Sequence, residues 1–220
     1  MAGQRSAKVR LHSGKRRKPS SSRWLVRQLN DPYVQRAQSE GYRSRAAYKL
    51  LDIDRRFRLL RAGLKVADLG CAPGGWTQVA AARGARVVGV DLLEVPSVEG
   101  AILLQADAFD PATAPRMQEL ASGRFDLVLS DISPPATGKR AIDRLRAEAA
   151  AEAALDVLPA LLAPGGNLVL KLLRGIEGKV VSEARARFAQ VKLVRPEATR
   201  RESSEIYLVA LGWRGEAATR

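Results

Sequence analysis

Short apolar runs that stop on an acid or a glycine recur along this chain, and they restrict its fold more than any other feature. Lys65–Leu69 ends at Gly70, Arg86–Val90 at Asp91, Ala101–Gln105 near Asp107, and Phe125–Ser130 at Asp131. Each has the length and branched-chain content of a strand buried on both faces. Three more strands are expected at Asn167–Leu172, Val191–Arg195 and Ile206–Leu211. Helical segments lie around and between them. Tyr33–Leu60 reads as mainly helical, Gly75–Ala82 is stopped by Arg83-Gly84, Ala141–Leu162 is broken by Pro164-Gly165-Gly166, and Glu177–Phe188 follows. Alternating strands and helices give an α/β fold, a mostly parallel sheet with helices on both faces. The last two strands are close in sequence, which lets the final one run antiparallel. No internal repeat interrupts the pattern. In such sheets ligands bind beyond the carboxyl ends of the strands, where these acids and glycines collect.

Val66-Ala67-Asp68-Leu69-Gly70-Cys71-Ala72-Pro73-Gly74-Gly75-Trp76 carries the most information. A strand runs into a glycine-rich turn and then a helix, so backbone can approach a ligand closely. The dinucleotide spacing G-x-G-x-x-G is absent, and no Gly-Lys-Ser/Thr completes a phosphate loop. Instead Asp68 precedes the turn, which suits a ligand bearing an ammonium group. Asp91 follows the second strand, where an acid can accept from ribose hydroxyls. Asp107 follows the third and either faces an adenine amino group or caps a helix ahead of Pro111. Trp76 either lines the pocket or packs in the core. Cys71 reads as a small packed residue. With one Cys and one His (His12) in the chain, neither an internal disulfide nor a structural zinc site is expected, and no metal is expected at the site.

Charge points to the partner. The net charge is +14, and neutralising phosphates releases condensed counterions, so a polyanion is the expected partner. From Met1 to Asn30 there is no acidic residue, while Arg5, Lys8, Arg10, Lys15, Arg16, Arg17, Lys18, Arg23 and Arg27 are basic. Residues 1–20 are expected to be a disordered basic tail. Residues 21–214 then form one domain with an N-terminal helical extension, and 215–220 a short C-terminal tail. The basic segments Arg36–Arg45 and Arg55–Arg61 admit two readings, an RNA-binding face or the solvated side of helices. Arg195, Arg200 and Arg201 can flank the mouth of the site. No apolar run approaches the roughly 18 residues of a membrane span, and no apolar stretch follows the charged N-terminus as a secretory signal requires. A cytoplasmic monomer without membrane contact is expected.

The glycine-rich loop, Ser130-Asp131-Ile132-Ser133-Pro134, Val169-Leu170-Lys171 and Ser204-Glu205-Ile206-Tyr207 resemble the FtsJ/RrmJ-type ribose 2′-O-methyltransferases. The resemblance extends upstream through Ser22-Arg23-Trp24-Leu25, Asp31-Pro32-Tyr33-Val34 and Arg43-Ser44-Arg45-Ala46. It is nearest to the bacterial members that methylate a uridine of large-subunit ribosomal RNA. It implies a Rossmann-like class I methyltransferase fold, S-adenosylmethionine as cofactor, and ribosomal RNA, within the ribosomal subunit, as partner. By motif position the cofactor contacts fall on Gly74, Trp76, Asp91, Asp107 and Asp131, beside Asp68 and Gly70 of the loop. The family's Lys-Asp-Lys-Glu tetrad falls on Lys49, Asp131, Lys171 and Glu205. Lys171 also stands out unaided, because it interrupts the apolar run Leu168–Leu173 and a charge in a buried strand needs a partner or a task. A ribose hydroxyl is a weak nucleophile. A lysine can take its proton where burial or a neighbouring cation favours the neutral amine. On that reading Lys49 supplies the cation, and Asp131 and Glu205 orient the ammonium groups. Read alone, without the family pattern, Lys49 is better read as a solvated helix lysine. The chain departs from the family pattern at Pro135, where Asn is frequent, at Lys139-Arg140, which charge the same loop, and at Cys71, where Ala is common. Two other functions share the fold, a small-molecule methyltransferase and a catalytically silent RNA-binding assembly factor. The charge and the tetrad speak against the first, and intact Asp131 and Lys171 against the second.

Overall fold

Seven strands make one sheet: β1 (Lys65–Leu69), β2 (Arg86–Asp91), β3 (Ala101–Gln105), β4 (Phe125–Ser130), β5 (Leu162–Leu173), β6 (Phe188–Val194) and β7 (Glu205–Trp213). Their spatial order is β3-β2-β1-β4-β5-β7-β6. β1 to β5 pair in parallel, and β7 runs antiparallel to both its neighbours, β5 and β6. The computed structural model describes residue 26 and residues 28–215. The basic tail 1–20, the Ser22–Leu25 motif, Arg27 and residues 216–220 lie outside the described residues.

The helices are α1 (Pro32–Ser39), α2 (Ala47–Phe57), α3 (Gly75–Ala82), α4 (Thr113–Ala121), α5 (Arg140–Asp156), α6 (Leu158–Leu161) and α7 (Glu177–Arg187). They cover both faces of the sheet. On one side Met117 of α4, Leu155 of α5, Leu158 and Leu161 of α6 and Val180 of α7 pack on Leu168, Leu170 and Leu172 of β5. On the other, Leu50 and Ile53 of α2 and Trp76 and Val79 of α3 pack on Val169 of β5 and on Tyr207 and Val209 of β7. Successive strand residues face opposite sides. Lys171 therefore takes the position after Val169 on the α2–α3 side, the face that Tyr207 shares.

Three stretches depart from the sequence reading. The expected helix over Tyr33–Leu60 is two helices, because the chain turns at Gly41, whose φ is +78°. The expected Ala141–Leu162 helix stops at Val157, and Pro159 near the start of α6 brings no N–H to continue the ladder. Leu162 is already extended, and the β4–β5 ladder jumps from Leu162 to Asn167, so Pro164-Gly165-Gly166 bulges within β5 instead of preceding it. Helix α4 was not anticipated, although Ala114, Met117 and Ala121 are buried at helical spacing.

Candidate active site

The tetrad is brought together by strand register. Lys171 of β5 lies directly opposite Tyr207 of β7. One row earlier, Ser130 of β4 pairs with Leu170, so Asp131, the next residue, comes beside Lys171. The Lys171 Nζ donates to the Asp131 carbonyl at 2.8 Å and lies 3.3 Å from its Oδ1. The Tyr207 hydroxyl donates to that same Oδ1 at 2.8 Å. From α2, Lys49 Nζ donates to the Tyr207 hydroxyl at 3.0 Å and to Glu205 Oε2 at 2.7 Å. Lys49, Tyr207, Asp131 and Lys171 thus form one continuous chain of polar contacts, with Glu205 holding its far end.

Burial gives this chain its electrostatic weight. The side chains of Lys49 and Lys171 are 7% and 9% exposed, so each ammonium has little water to replace a lost partner. Burial pushes the Asp131 carboxyl up, but Lys171, Lys49 and the Tyr207 hydroxyl together outweigh it and leave the group below the ordinary carboxylate range. Burial, reinforced by the Asp131 and Glu205 charges, raises the Tyr207 hydroxyl well above its usual value, so it stays a neutral donor. Two lysines balance two carboxylates.

Tyr207 was not singled out from sequence. Its signal is a hydroxyl-bearing ring within the apolar run after Glu205, which alone does not tell a core residue from a site residue. It belongs to both, since its ring also packs against Trp76, with centroids 5.7 Å apart. Trp76 itself is 3% exposed and its Nε1 donates to the Ala46 carbonyl at 2.8 Å. The indole thereby ties the loop before α2 to α3.

The strand ends around β1 are built differently. Asp68 is 1% exposed. Its Oδ2 accepts from Thr77 Oγ1 at 2.6 Å, while its buried Oδ1 has no protein partner. Burial pushes this carboxyl up to about 7. The Thr77 bond opposes that rise, and the Asp131 and Asp91 charges add to it. Gly70, at φ +75°, tolerates no side chain: an added Cβ would meet Ile132 Cγ1 at 2.5 Å. That close approach packs the loop after β1 against the loop after Asp131. Asp91 Oδ2 accepts from the Ala72 amide and its Oδ1 from the Leu93 amide, both at 2.9 Å, so it shapes the glycine-rich loop as well as its own. Asp107 Oδ1 accepts from the Phe109 amide at 2.9 Å. This is a turn rather than a helix cap, because α4 begins later, after Ala112. Cys71 is buried, and its thiol is pushed up by burial, as suits a packed residue.

Many arginines of the basic segments are engaged within the protein. Arg36 pairs with Glu40, and Arg55 and Arg56 with Asp52. Arg45 and Arg200 both reach Asp31 Oδ2 at 2.9 Å. Arg195 donates to the carbonyls of Ser203, Arg200 and Arg201, closing the loop that leads to Glu205. From sequence the two segments read as an RNA-binding face or as solvated helix sides, and Arg195, Arg200 and Arg201 as flanking the mouth of the site. In the structure several of them hold the N-terminal extension onto the loop before β7, which brings Lys49 to Glu205. Asp31, the first residue of a quoted motif, is the buried acid on which that docking turns.

The description "FtsJ-like methyltransferase" is that of a protein family matching residues 42–213. A protein of Acidiphilium cryptum named ribosomal RNA large subunit methyltransferase E is 48% identical over 220 residues, spanning 99% of this chain and 98% of its own. A protein of Granulibacter bethesdensis with the same name is 48% identical over 214 residues, 96% of this chain and 93% of its own. Among solved structures, a Plasmodium falciparum protein matches with a TM-score of 0.71 at 24% identity, over 80% of this chain and 100% of that one. At that identity the likeness is one of fold.

Proposed function

The chain belongs to the FtsJ-like methyltransferase family, and from that membership we propose that it carries a methyl group from S-adenosylmethionine to a ribose 2′-hydroxyl of RNA. The substrate we infer is a uridine of large-subunit ribosomal RNA, the RNA class in the names of its relatives, acted on in the cytoplasm by a monomer. The observation that carries the reading is the buried Lys49–Tyr207–Asp131–Lys171 chain beside the acids Asp68 and Asp91 at the ends of β1 and β2.

The pocket fits this cofactor on its own chemistry. A buried carboxylate oxygen without a partner, Asp68 Oδ1, with Asp91 and Asp131 near enough to raise the acid's pKa, asks for a cation. Asp68 and Asp131 would hold the positively charged end, Asp91 the ribose, Asp107 the adenine amino group, and Gly70, Gly74 and Trp76 the surrounding walls. When bound, the cofactor supplies an electrophilic methyl group on a cationic sulfur.

The protein's residues then handle the hydroxyl. Asp131 stays ionised and fixes the Lys171 Nζ through its carbonyl and its Oδ1. Lys171 Nζ, held at that point, would give up its ammonium proton to solvent and then take the hydroxyl proton, steering the hydroxyl toward the methyl group. Lys49 stays paired with Glu205 and, through the neutral Tyr207 hydroxyl, keeps positive charge next to Asp131. Proton transfer of this kind contributes roughly 10²–10⁴ in rate, and fixed orientation can add more. Transfer of a tritiated methyl group from S-adenosylmethionine to large-subunit RNA, followed by mapping of the labelled ribose, tests the proposal. Incorporation into a 2′-O-methyl uridine is expected. A labelled base, or no label in any RNA, would overturn it.

A further inference from the structure

Arg43 lies in a segment whose charge suggests RNA, yet its guanidinium is turned inward. Its Nη1 donates to the Pro96 carbonyl at 2.5 Å and to the Pro73 carbonyl at 3.3 Å, and its Nη2 to the Ser97 carbonyl at 2.5 Å. Its backbone N–H donates to Gln78 Oε1 of α3 at 2.8 Å, and Gln78 Nε2 returns a bond to the Gly41 carbonyl. Gly74 makes room for this: a Cβ there would stand 2.9 Å from Nη1.

The three carbonyls belong to two loops. Pro73 sits in the glycine-rich loop after β1, and Pro96 and Ser97 sit in the irregular loop after Asp91. The planar guanidinium can grip neighbouring carbonyls on both sides at once, which a lysine ammonium cannot do with the same fixed geometry. The glycine-rich loop is otherwise tied to the end of β2, by the Gly70 and Cys71 amides on the Val90 carbonyl and the Ala72 amide on Asp91. Pro96 and Ser97 are joined to the glycine-rich loop through Arg43, in a loop where Leu92 and Leu93 are already about two-thirds exposed (67% and 66%).

We propose that Arg43 is a positioning residue for the cofactor and not an RNA contact. It belongs to the helical extension that carries Lys49, and it sets cofactor affinity by locking together the two loops that wall the pocket. The proposal rests on reading that pocket as the S-adenosylmethionine site.

Isothermal titration of S-adenosylmethionine into full-length wild type, Arg43→Lys, Arg43→Gln and Gln78→Ala tests it. RNA affinity is measured on the same proteins across a salt series. Loss of charge-assisted hydrogen bonds predicts that Arg43→Lys and Arg43→Gln weaken cofactor binding by about tenfold or more. Gln78→Ala, which leaves the guanidinium in place, loses less. Methyl transfer at saturating cofactor falls much less than affinity, and the salt slope of RNA binding stays that of wild type. Thermal melts identify any variant that fails to fold, in which case Gln78→Ala carries the test. Cofactor affinity within twofold of wild type in folded Arg43→Lys would overturn the proposal. So would a loss confined to RNA binding with a shallower salt slope, the mark of a phosphate contact. Absence of S-adenosylmethionine binding by wild type would instead overturn the reading of the pocket.

Discussion

Lys49 and Asp68 are both buried ionisable groups near the carboxyl end of one sheet, yet their surroundings differ. Lys49 has Glu205 and Tyr207, and through Tyr207 it reaches Asp131 and Lys171. Asp68 has Thr77 on one oxygen and no protein partner on the other, with Asp91 and Asp131 adding negative charge nearby. The cluster of Lys49, Tyr207, Asp131, Lys171 and Glu205 is charge-balanced and complete within the protein. The strand ends around Asp68 are acidic and leave one carboxylate oxygen without a protein partner. Groups that orient a reacting atom are held by each other, so they need no reorganisation when substrate arrives. Groups that bind a cation are left short of a partner, so the ligand supplies what the fold withholds.

The largest contrast is expected between Asp131 and Asp68. Asp131→Ala leaves two nearly buried ammonium groups with a single carboxylate between them. It should cost about 3 kcal/mol or more of stability, as breaking a buried pair does, and should abolish methyl transfer. Asp68→Asn retains an acceptor for Thr77 and removes a buried carboxyl whose charge burial disfavours. It should melt no lower than wild type at neutral pH, yet bind S-adenosylmethionine much more weakly. Chemical denaturation beside calorimetry checks both. Equal destabilisation by the two substitutions would erase the distinction.

Protonation sharpens the same point. In the free protein the Asp68 carboxyl titrates at about 7, raised from its ordinary value. The native state therefore keeps this proton until the pH reaches that range, and a bound cation favours the ionised form. Cofactor binding should release a proton below pH 7, with affinity rising as pH approaches 7 and levelling above it. Calorimetry in buffers of different ionisation enthalpy reads the proton directly. Asp68→Asn should show no such release, and a wild type that binds cofactor without proton exchange below pH 7 would contradict the assignment.

A smaller effect is expected at Tyr207. Tyr207→Phe keeps the ring that packs on Trp76 but breaks the link between Lys49 and Asp131. About one hydrogen bond is lost on each side, so a rate loss of roughly tenfold is expected, with cofactor affinity unchanged. Complete loss of activity would make Tyr207 a participant in the chemistry rather than a connector.

Much of this was legible before the structure. Strands β1 to β4 carry their acids or glycines at their ends because a parallel sheet exposes its ligands there, and that pattern is written in the chain. Lys171 was visible as a charge within an apolar run. What could not be read were pairings across the sheet. Nothing local says that Tyr207 stands opposite Lys171, since that depends on the antiparallel register of β7. Likewise Arg43, Arg45 and Arg200 look alike as basic residues. Their inward bonds to carbonyls and to Asp31 arise only when the N-terminal extension folds back on loops far away in sequence. Helix α4 was missed because its three buried residues, Ala114, Met117 and Ala121, lie in a short segment containing Pro115, which masks the period.

Lys171 is proposed to act on the reacting hydroxyl and not on the cofactor. Single-turnover methylation of large-subunit RNA at saturating S-adenosylmethionine measures this step most directly. Lys171→Ala is expected to bind the cofactor nearly as wild type but to transfer methyl slower by about 10² or more, and Lys171→Arg not to restore the rate, because a guanidinium stays protonated. A folded, cofactor-saturated Lys171→Ala protein that transfers methyl at close to the wild-type rate would contradict it.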